Sequence, residues 1–183
     1  MSALIKRNYH KLGRKQSGFS ITEALVVGGI VVILAAAGAP AWRQIIDNNR
    51  MDADVLFLRS GLMLARSEAV TRNSDVIICG STDLTTCGGS LGAGWIVFQD
   101  VNADGAFDGG DFVIRVNDHS LDDTKVTLNI SDGVSNVLFT GQGRANRAVD
   151  FSLCDIDGTV ENRMIRVLPT GQIHNSTQNT PVC

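Results

Sequence analysis

The chain has 183 residues, 44% of them hydrophobic, and a formal net charge of −3. The segment 1–18 carries five cations and no acid, so the remainder carries −8. That acidic balance argues against a general nucleic-acid binder, which presents a basic surface. The three histidines are scattered and no nucleophile stands beside a base in a recognisable arrangement, so we expect no enzymatic activity.

A long apolar run occupies 19–39, and its only charged residue is Glu23. As a helix rising about 1.5 Å per residue, the run covers roughly the 30 Å hydrocarbon core of a membrane. The cations that precede it are Lys6, Arg7, Lys11, Arg14 and Lys15. Since such cations are enriched on the cytoplasmic side, we expect residues 1–18 to stay in the cytoplasm and the bulk of the chain to lie outside it.

Glu23 is not explained by a plain membrane anchor. A charge inside the bilayer costs on the order of 2.5–3.5 kcal/mol on insertion scales and is by default a functional residue with a partner. Glu23 is the fifth residue of the run, shallow enough for hydration near the interface to be one solution. We favour the other solution, a partner outside this chain.

The segment 15–23, Lys-Gln-Ser-Gly-Phe-Ser-Ile-Thr-Glu, resembles the start of type IV pilins and pseudopilins. The resemblance implies cleavage after Gly18 by a prepilin peptidase and N-methylation of Phe19. It also implies that Glu23 meets the N-terminal amine of a neighbouring pilin in a helical bundle and so fixes the register between subunits. Such pairing is physically reasonable because a buried acid is tolerated where an opposite charge and hydrogen bonds meet it. Pro40 fits a helix that is kinked or locally melted where the filament core ends.

An ordinary secretory signal is the competing interpretation. The small residues of Ala35–Ala39 offer a site for signal peptidase, which would release a soluble periplasmic domain. The apolar run is longer than the roughly 7–15 residues of a signal sequence, and such a sequence has no use for a carboxylate. We therefore favour the pilin-type leader.

Beyond Pro40 an amphipathic helix is predicted to continue to about residue 73. Its apolar residues recur at spacings of three and four, which is the pattern of one helix face. They are Met51, Val55, Leu58, Leu62, Ala65 and Ala69. We expect this face to pack on the core.

Three stretches resemble the FimT/GspH group of minor pilins and pseudopilins. Leu64–Val70 is similar to the end of that group's long helix, Asp75–Cys79 to its first strand, and Gly94–Asp100 to its G-W-x-V-F-x-D strand. Together with the leader they are spread over most of the range 1–110, which favours this group over a generic pilin.

The remainder of the chain predicts short strands separated by Gly, Asn and Asp. They are Val76–Cys79, Gly94–Gln99, Phe112–Val116, Val126–Ile130, Asn136–Thr140, Ala148–Cys154 and Met164–Leu168. Since no second helix intervenes, the expected fold is α+β and type IV pilin-like, with one long N-terminal helix packed on antiparallel sheets joined by hairpins. The expected divisions are a leader at 1–18, a transmembrane or filament-core helix at 19–41, its amphipathic half at 42–73 and a periplasmic β-rich domain at 74–183.

Four cysteines in an exported domain indicate two disulfides, for which three connectivities exist. We favour Cys79 with Cys87, which closes a small Gly/Thr-rich loop, and Cys154 with Cys183, which fastens the polar tail at 175–182. A zinc site is disfavoured because the spacings differ from those of zinc ligand sets.

The segment 100–111 carries oxygen donors at the spacing of a calcium loop, with Gly105 at the turn. The candidate ligands are Asp100, Asn102, Asp104, Asp108 and Asp111. Asp111 stands where an EF-hand has a longer glutamate, and no flanking helices are predicted. The alternative is a hairpin loop with solvated carboxylates. We expect no required cofactor, with calcium as the one candidate.

DNA binding is the remaining alternative function, because some FimT-type proteins carry a C-terminal G-R-x-R motif. The matching segment here is 171–174, Gly-Gln-Ile-His, and it lacks both arginines. Arg144 and Arg147 are candidate phosphate contacts, with Arg163 and Arg166 nearby in sequence. Surface arginines more often pair with acids, so we expect no nucleic-acid partner.

The resemblance therefore implies a minor pilin that takes part in type IV pilus assembly, in the initiation or tip complex. Its expected partners are other minor and major pilins, the prepilin peptidase and an inner-membrane assembly platform. Before assembly it would be a single-pass protein of the inner membrane, and afterwards part of a pilus or pseudopilus. The close alternative is a GspH-like minor pseudopilin of type II secretion.

Overall fold

A computed structural model describes residues 18–121, 126–133, 135–175 and 183. Residues 1–17 of the predicted leader, residues 122–125, residue 134 and the tail residues 176–182 lie outside the described part of the chain. The chain divides into two compact units, Met1–Ala41 and Trp42–Cys183.

A single helix, α1, runs over Ile21–Arg72 and has 52 residues. It begins after Ser20, whose Oγ accepts a hydrogen bond from the backbone N–H of Glu23 at 3.2 Å, as an N-cap residue does. It ends at Asn73, which adopts a left-handed conformation with φ of 48°. The N–H of Ser74 then bonds to the carbonyl of Ala69, and that of Asn73 to Val70, which closes the last turn. The helix continues through Pro40 without a break, so the structure has no melted turn there.

The predicted apolar stripe of the second half of α1 is confirmed. All six of its residues are buried, none more than 5% exposed. Asp52, which lies off this stripe, is exposed. The helical period therefore identified the face that packs on the core.

In the described ranges, eight strands follow the helix. They are β1 (Val76–Gly80), β2 (Trp95–Gln99), β3 (Phe112–Asn117), β4 (Val126–Ile130), β5 (Asn136–Phe139), β6 (Val149–Asp155), β7 (Arg163–Val167) and β8 (Ile173–Asn175). The seven predicted strands correspond to β1–β7 within a residue or two at each end. The short strand β8 is not predicted by the sequence.

The strands form two antiparallel sheets, in the orders β3-β2-β1-β5 and β4-β6-β7-β8. The expectation of sheets joined by hairpins is wrong at three connections, β3 to β4, β4 to β5 and β5 to β6, because each of them passes from one sheet to the other. The chain leaves the first sheet after β3 to place β4 in the second, and then returns to place β5 beside β1. β4 in turn pairs with β6 and not with its neighbour in sequence. The α+β class with one long helix on antiparallel sheets is confirmed.

The core lies where the buried stripe of α1 meets both sheets. β1 is buried on both of its faces: Val76 and Ile78 belong to the main core, while Ile77 and Cys79 belong to a smaller apolar cluster. Phe107, from the loop between β2 and β3, packs against that smaller cluster. The loop at 100–111 is thus packed against the protein as well as exposed to solvent.

Candidate functional site

The start of α1 presents Glu23 at the third position of the helix. The segment Ser20-Ile21-Thr22-Glu23 has the S-x-x-E form of a capping box, and Ser20 makes its half of that arrangement. The Glu23 side chain is exposed, and no described residue forms a hydrogen bond or an ion pair with its carboxylate. A carboxylate in the first turn is favoured by the helix dipole, and here it remains available to a cation from another molecule.

Around Glu23, the first half of α1 and Phe19 just before it expose large apolar side chains, each at least half accessible. They are Phe19, Ile21, Leu25, Val26, Val27, Ile30, Val31, Val32, Ile33 and Leu34. An apolar surface of this length and extent is stable only when something covers it. Among the residues that the structure describes, no helix is both long enough and apolar enough to span a membrane.

The acidic loop at 100–111 is anchored by one aromatic and one acid. The rings of Phe107 and Phe98 lie 5.0 Å apart between centroids, which fixes the loop to the outer face of the first sheet. Asp100 is only 3% exposed, and its Oδ2 accepts a hydrogen bond from the Gly105 N–H at 2.9 Å. Gly105 has φ of 79°, a conformation that glycine adopts without the steric cost of a Cβ.

The other candidate ligands of the loop bond to one another and to the backbone. Asn102 donates from Nδ2 to Asp104 Oδ2 at 2.8 Å and to Asp108 Oδ2 at 3.3 Å. Asp111 accepts from the N–H groups of Val101 and Asp108, both at 3.0 Å, so both of its oxygens hold the loop together. Within the described ranges no group of three or more His, Cys, Asp or Glu side chains is already arranged around a metal position.

Two disulfides are present, Cys79–Cys87 and Cys154–Cys183, which is the favoured pairing. The first closes a loop in which Asp83 accepts from the N–H groups of Thr85 and Thr86 at 2.9 and 2.8 Å. These hydrogen bonds, that of Thr85 first, lower the pKa of Asp83 well below its usual range.

The four arginines considered for phosphate contact differ in their surroundings. Arg166 donates from Nε and Nη2 to the two carboxylate oxygens of Asp150, each at 2.6 Å, and this pairing raises the pKa of Arg166. Arg163 bonds to Asp52 at 3.1 Å. Arg144 and Arg147 are exposed on the loop before β6. Two of the four arginines considered for phosphate contact are thus neutralised by acids.

Two residues that shape these regions are not predicted from the sequence. Phe107 falls in a segment that is otherwise polar, although an aromatic among glycines and aspartates is itself a signal of an anchored loop. Asp54 is buried on α1 and bonds to His119 Nε2 at 3.0 Å. Its position beside the apolar Val55 gives no indication of a partner so distant along the chain.

Comparison with protein families matches residues 57–171 to the family described as type II transport protein GspH. The chain belongs to the GspH family. The resemblance to the FimT/GspH group is therefore confirmed, and the matched range extends from the second half of α1 into the loop between β7 and β8. A search of curated proteins finds no significant match.

Solved structures place this GspH-family chain among pilin folds. It superposes on the type IV minor pilin FimU of Pseudomonas aeruginosa with a TM-score of 0.56 at 22% identity, over 72% of this chain and 92% of that one. A second crystal form of FimU gives a TM-score of 0.53 at 22% identity, over 68% of this chain and 91% of that one. The minor pseudopilin EpsH of the Vibrio cholerae type 2 secretion system gives a TM-score of 0.47 at 14% identity, over 69% of this chain and 94% of that one. With so low an identity, the likeness to FimU is one of fold.

Proposed function

We propose that this GspH-family chain is a minor pilin that takes part in type IV pilus assembly, in the initiation or tip complex. In this proposal prepilin peptidase cuts between Gly18 and Phe19, and the new amino terminus is methylated. The mature subunit is stored in the inner membrane through residues 19–41, with its β-domain in the periplasm. It then enters a filament by packing that helix against other pilins.

The observation that carries the proposal is the exposed apolar surface of α1 around a single acid. Ten large apolar side chains are at least half exposed between Phe19 and Leu34, so the isolated subunit is incomplete. A bundle of similar helices buries such a surface on all sides at once. A membrane covers it before assembly, which agrees with the cations that precede the apolar run.

Glu23 has the role of setting register within that bundle. Its carboxylate is exposed and has no partner among the described residues, and burial by neighbouring helices would then require a positive charge beside it. A processed neighbour supplies such a charge as the amine of its Phe19. Pairing at this one point fixes the axial position of each subunit.

A type II secretion pseudopilin is the second candidate, because the matched family is described as type II transport protein GspH. The chemistry of the helix is the same in both machines. Deletion of the gene separates them: loss of surface pili with normal protein secretion supports the pilus, and the reverse supports secretion.

The first experiment is intact mass and N-terminal sequencing of the protein purified from its native membrane. A chain that begins at N-methylated Phe19 is the expected result. A chain that begins after Ala39, or an uncleaved Met1, would remove the filament proposal.

The second experiment tests Glu23 with a matched control. We expect Glu23→Ala to be processed normally but to be lost from sheared filaments, while the stability of the β-domain is unchanged. Ser20→Ala removes the helix cap and keeps the acid, at a cost of about 1 kcal/mol to the helix start. If Glu23→Ala enters filaments as well as the wild type does, Glu23 does not set the register.

A further inference from the structure

Among the described residues, one buried oxygen of the acidic loop has no hydrogen-bond partner. Asp100 lies directly after β2, and its side chain points into the loop, since its Oδ2 bonds to the N–H of Gly105. Its Oδ1 is buried and receives no hydrogen bond from any described residue. The residue as a whole is 3% exposed.

A buried carboxylate oxygen without a donor is costly. Removing a charged group from water is compensated only by hydrogen bonds, by an opposite charge or by a metal ion. The single hydrogen bond from Gly105 satisfies one oxygen of Asp100. In the described part of the chain no lysine or arginine is paired with either oxygen of this carboxylate. The charge of Asp100 is therefore not balanced by the side chains described around it.

The rest of the loop holds further oxygen donors around the side-chain amide of Asn102, an uncharged hydrogen-bond donor. The Nδ2 of Asn102 lies 2.8 Å from Asp104 Oδ2 and 3.3 Å from Asp108 Oδ2. A single amide nitrogen thus bridges two carboxylates, which is the position that a cation takes between oxygen ligands. Release of this amide frees the Oδ2 atom of both carboxylates, while their Oδ1 atoms keep their bonds to the backbone N–H groups of Ala106 and Gly110. The side-chain oxygen of Asn102, which accepts from the Asp104 N–H at 3.2 Å, is a further donor to a cation.

The shape of the loop is held by groups other than these. Asp111 bonds through both oxygens to the backbone at Val101 and Asp108, and Phe107 is fixed against Phe98. The two ends of the loop are therefore held in position before an ion binds. Ion binding requires movement of the Asn102 amide and of nearby side chains, which agrees with the lack of a ready-made metal cluster among the described residues.

We propose that this loop binds a calcium ion through Asp100, Asn102, Asp104 and Asp108. The donors are hard oxygens from carboxylates and an amide, which calcium accepts at flexible geometry in six- to eight-fold coordination. Magnesium demands a tighter octahedral set and gives up its water reluctantly. Zinc is disfavoured because the loop contains no His or Cys. Asp111 acts as a structural clamp in this proposal and is not a ligand.

The test uses the full-length protein, purified in detergent and freed of metal with EDTA. Titration with CaCl2 in a calorimeter should give one site with a Kd of about 0.1–1 mM, the range of extracellular calcium modules. Calcium should also raise the midpoint of thermal unfolding, and MgCl2 at the same concentration should raise it much less. Absence of binding heat and of any midpoint shift at about 10 mM calcium would overturn the proposal.

Variants separate a specific site from general attraction to an acidic protein. We expect Asp104→Asn and Asp108→Asn to weaken calcium binding about tenfold or more, because each removes a charged ligand. Asp118→Asn removes an exposed acid outside the loop and should leave binding unchanged. Equal weakening by Asp118→Asn would show nonspecific attraction and overturn the site.

Asp100→Asn distinguishes a ligand from an oxygen satisfied by water. With calcium absent, this variant should be no less stable than the wild type, since it removes an uncompensated charge while its amide oxygen keeps the bond from Gly105. It should no longer respond to calcium. A variant that is destabilised in EDTA and still responds to calcium as the wild type does would overturn the assignment of Asp100. None of these results depends on filament assembly.

Discussion

Gly61 on α1 controls how closely the helix approaches the first sheet. It lies in the buried stretch of the helix, facing Trp95 at the start of β2. A Cβ added at Gly61 would stand 2.8 Å from Cζ2 and 3.0 Å from Cη2 of the indole. Optimal carbon contacts are about 3.5–4.0 Å, so the helix or the ring would have to move.

Gly61→Ala should therefore destabilise the protein, although alanine is the better helix former. Helix propensity alone favours alanine by about 1 kcal/mol. Overpacking of a filled core costs about 1–3 kcal/mol, and Trp95 is fully buried. The net expectation is a loss of about 1 kcal/mol, which lowers the unfolding midpoint by about 2–4 °C for a protein of this size.

Urea unfolding followed by far-UV circular dichroism measures the change, and Trp95→Phe supplies the control background. Phenylalanine has no atoms at Cζ2 and Cη2 of the indole, so the clash is removed. In that background Gly61→Ala should stabilise the protein, because helix propensity and the filled space now act together. A stabilising Gly61→Ala in the wild-type background would refute the argument that Trp95 requires glycine.

The other predictions concern the core, the disulfides and acid. Leu62→Ala removes a fully buried side chain and should cost about 2–5 kcal/mol in urea unfolding. Replacing both cysteines of Cys154–Cys183 by serine should lower the free energy of unfolding by about 3.6 kcal/mol, and the same change at Cys79–Cys87 by about 2.5 kcal/mol. The first loss is larger because that disulfide closes the longer loop, with a sequence separation of 29 against 8. Asp83 has a lowered pKa in the folded state, so its contribution is present above the unfolded pKa near 3.9 and is lost as the pH falls below it. Asp83→Asn should make the free energy of unfolding depend less steeply on pH between about pH 4 and pH 2. The same slope in the variant and the wild type would contradict this.

Local patterns are sufficient to predict the helix and most strands. The stripe from Met51 to Ala69 has the period of a helix, and each of its residues is buried because that period places them on one face. The ends of α1 are also encoded locally, by Ser20 at one end and Asn73 at the other. These helix and strand features depend on neighbours within a few residues. The cysteine pairing is favoured among three connectivities from loop size and an expected export, although Cys154 and Cys183 are 29 residues apart.

Strand partners are not predictable in the same way. Nothing in Val126–Ile130 says that it leaves the first sheet to pair with β6, because both choices bury the same alternating side chains. Ile173–Asn175 has one apolar residue and becomes a strand only because β7 leaves an edge to pair with. Hairpins are the natural expectation since they require only short loops.

In the acidic loop, some features are determined by the sequence alone and others only by the tertiary structure. The sequence alone determined the set of oxygen donors and their spacing, just as it determined the apolar helix with Glu23 at its start. Only the tertiary structure decided that Asp100 is buried with one oxygen lacking a partner in the described part of the chain, and that Phe107 holds the loop against Phe98. The reason is physical: burial and solvation depend on which distant strands lie beneath a residue, and that arrangement is settled by packing of the whole domain.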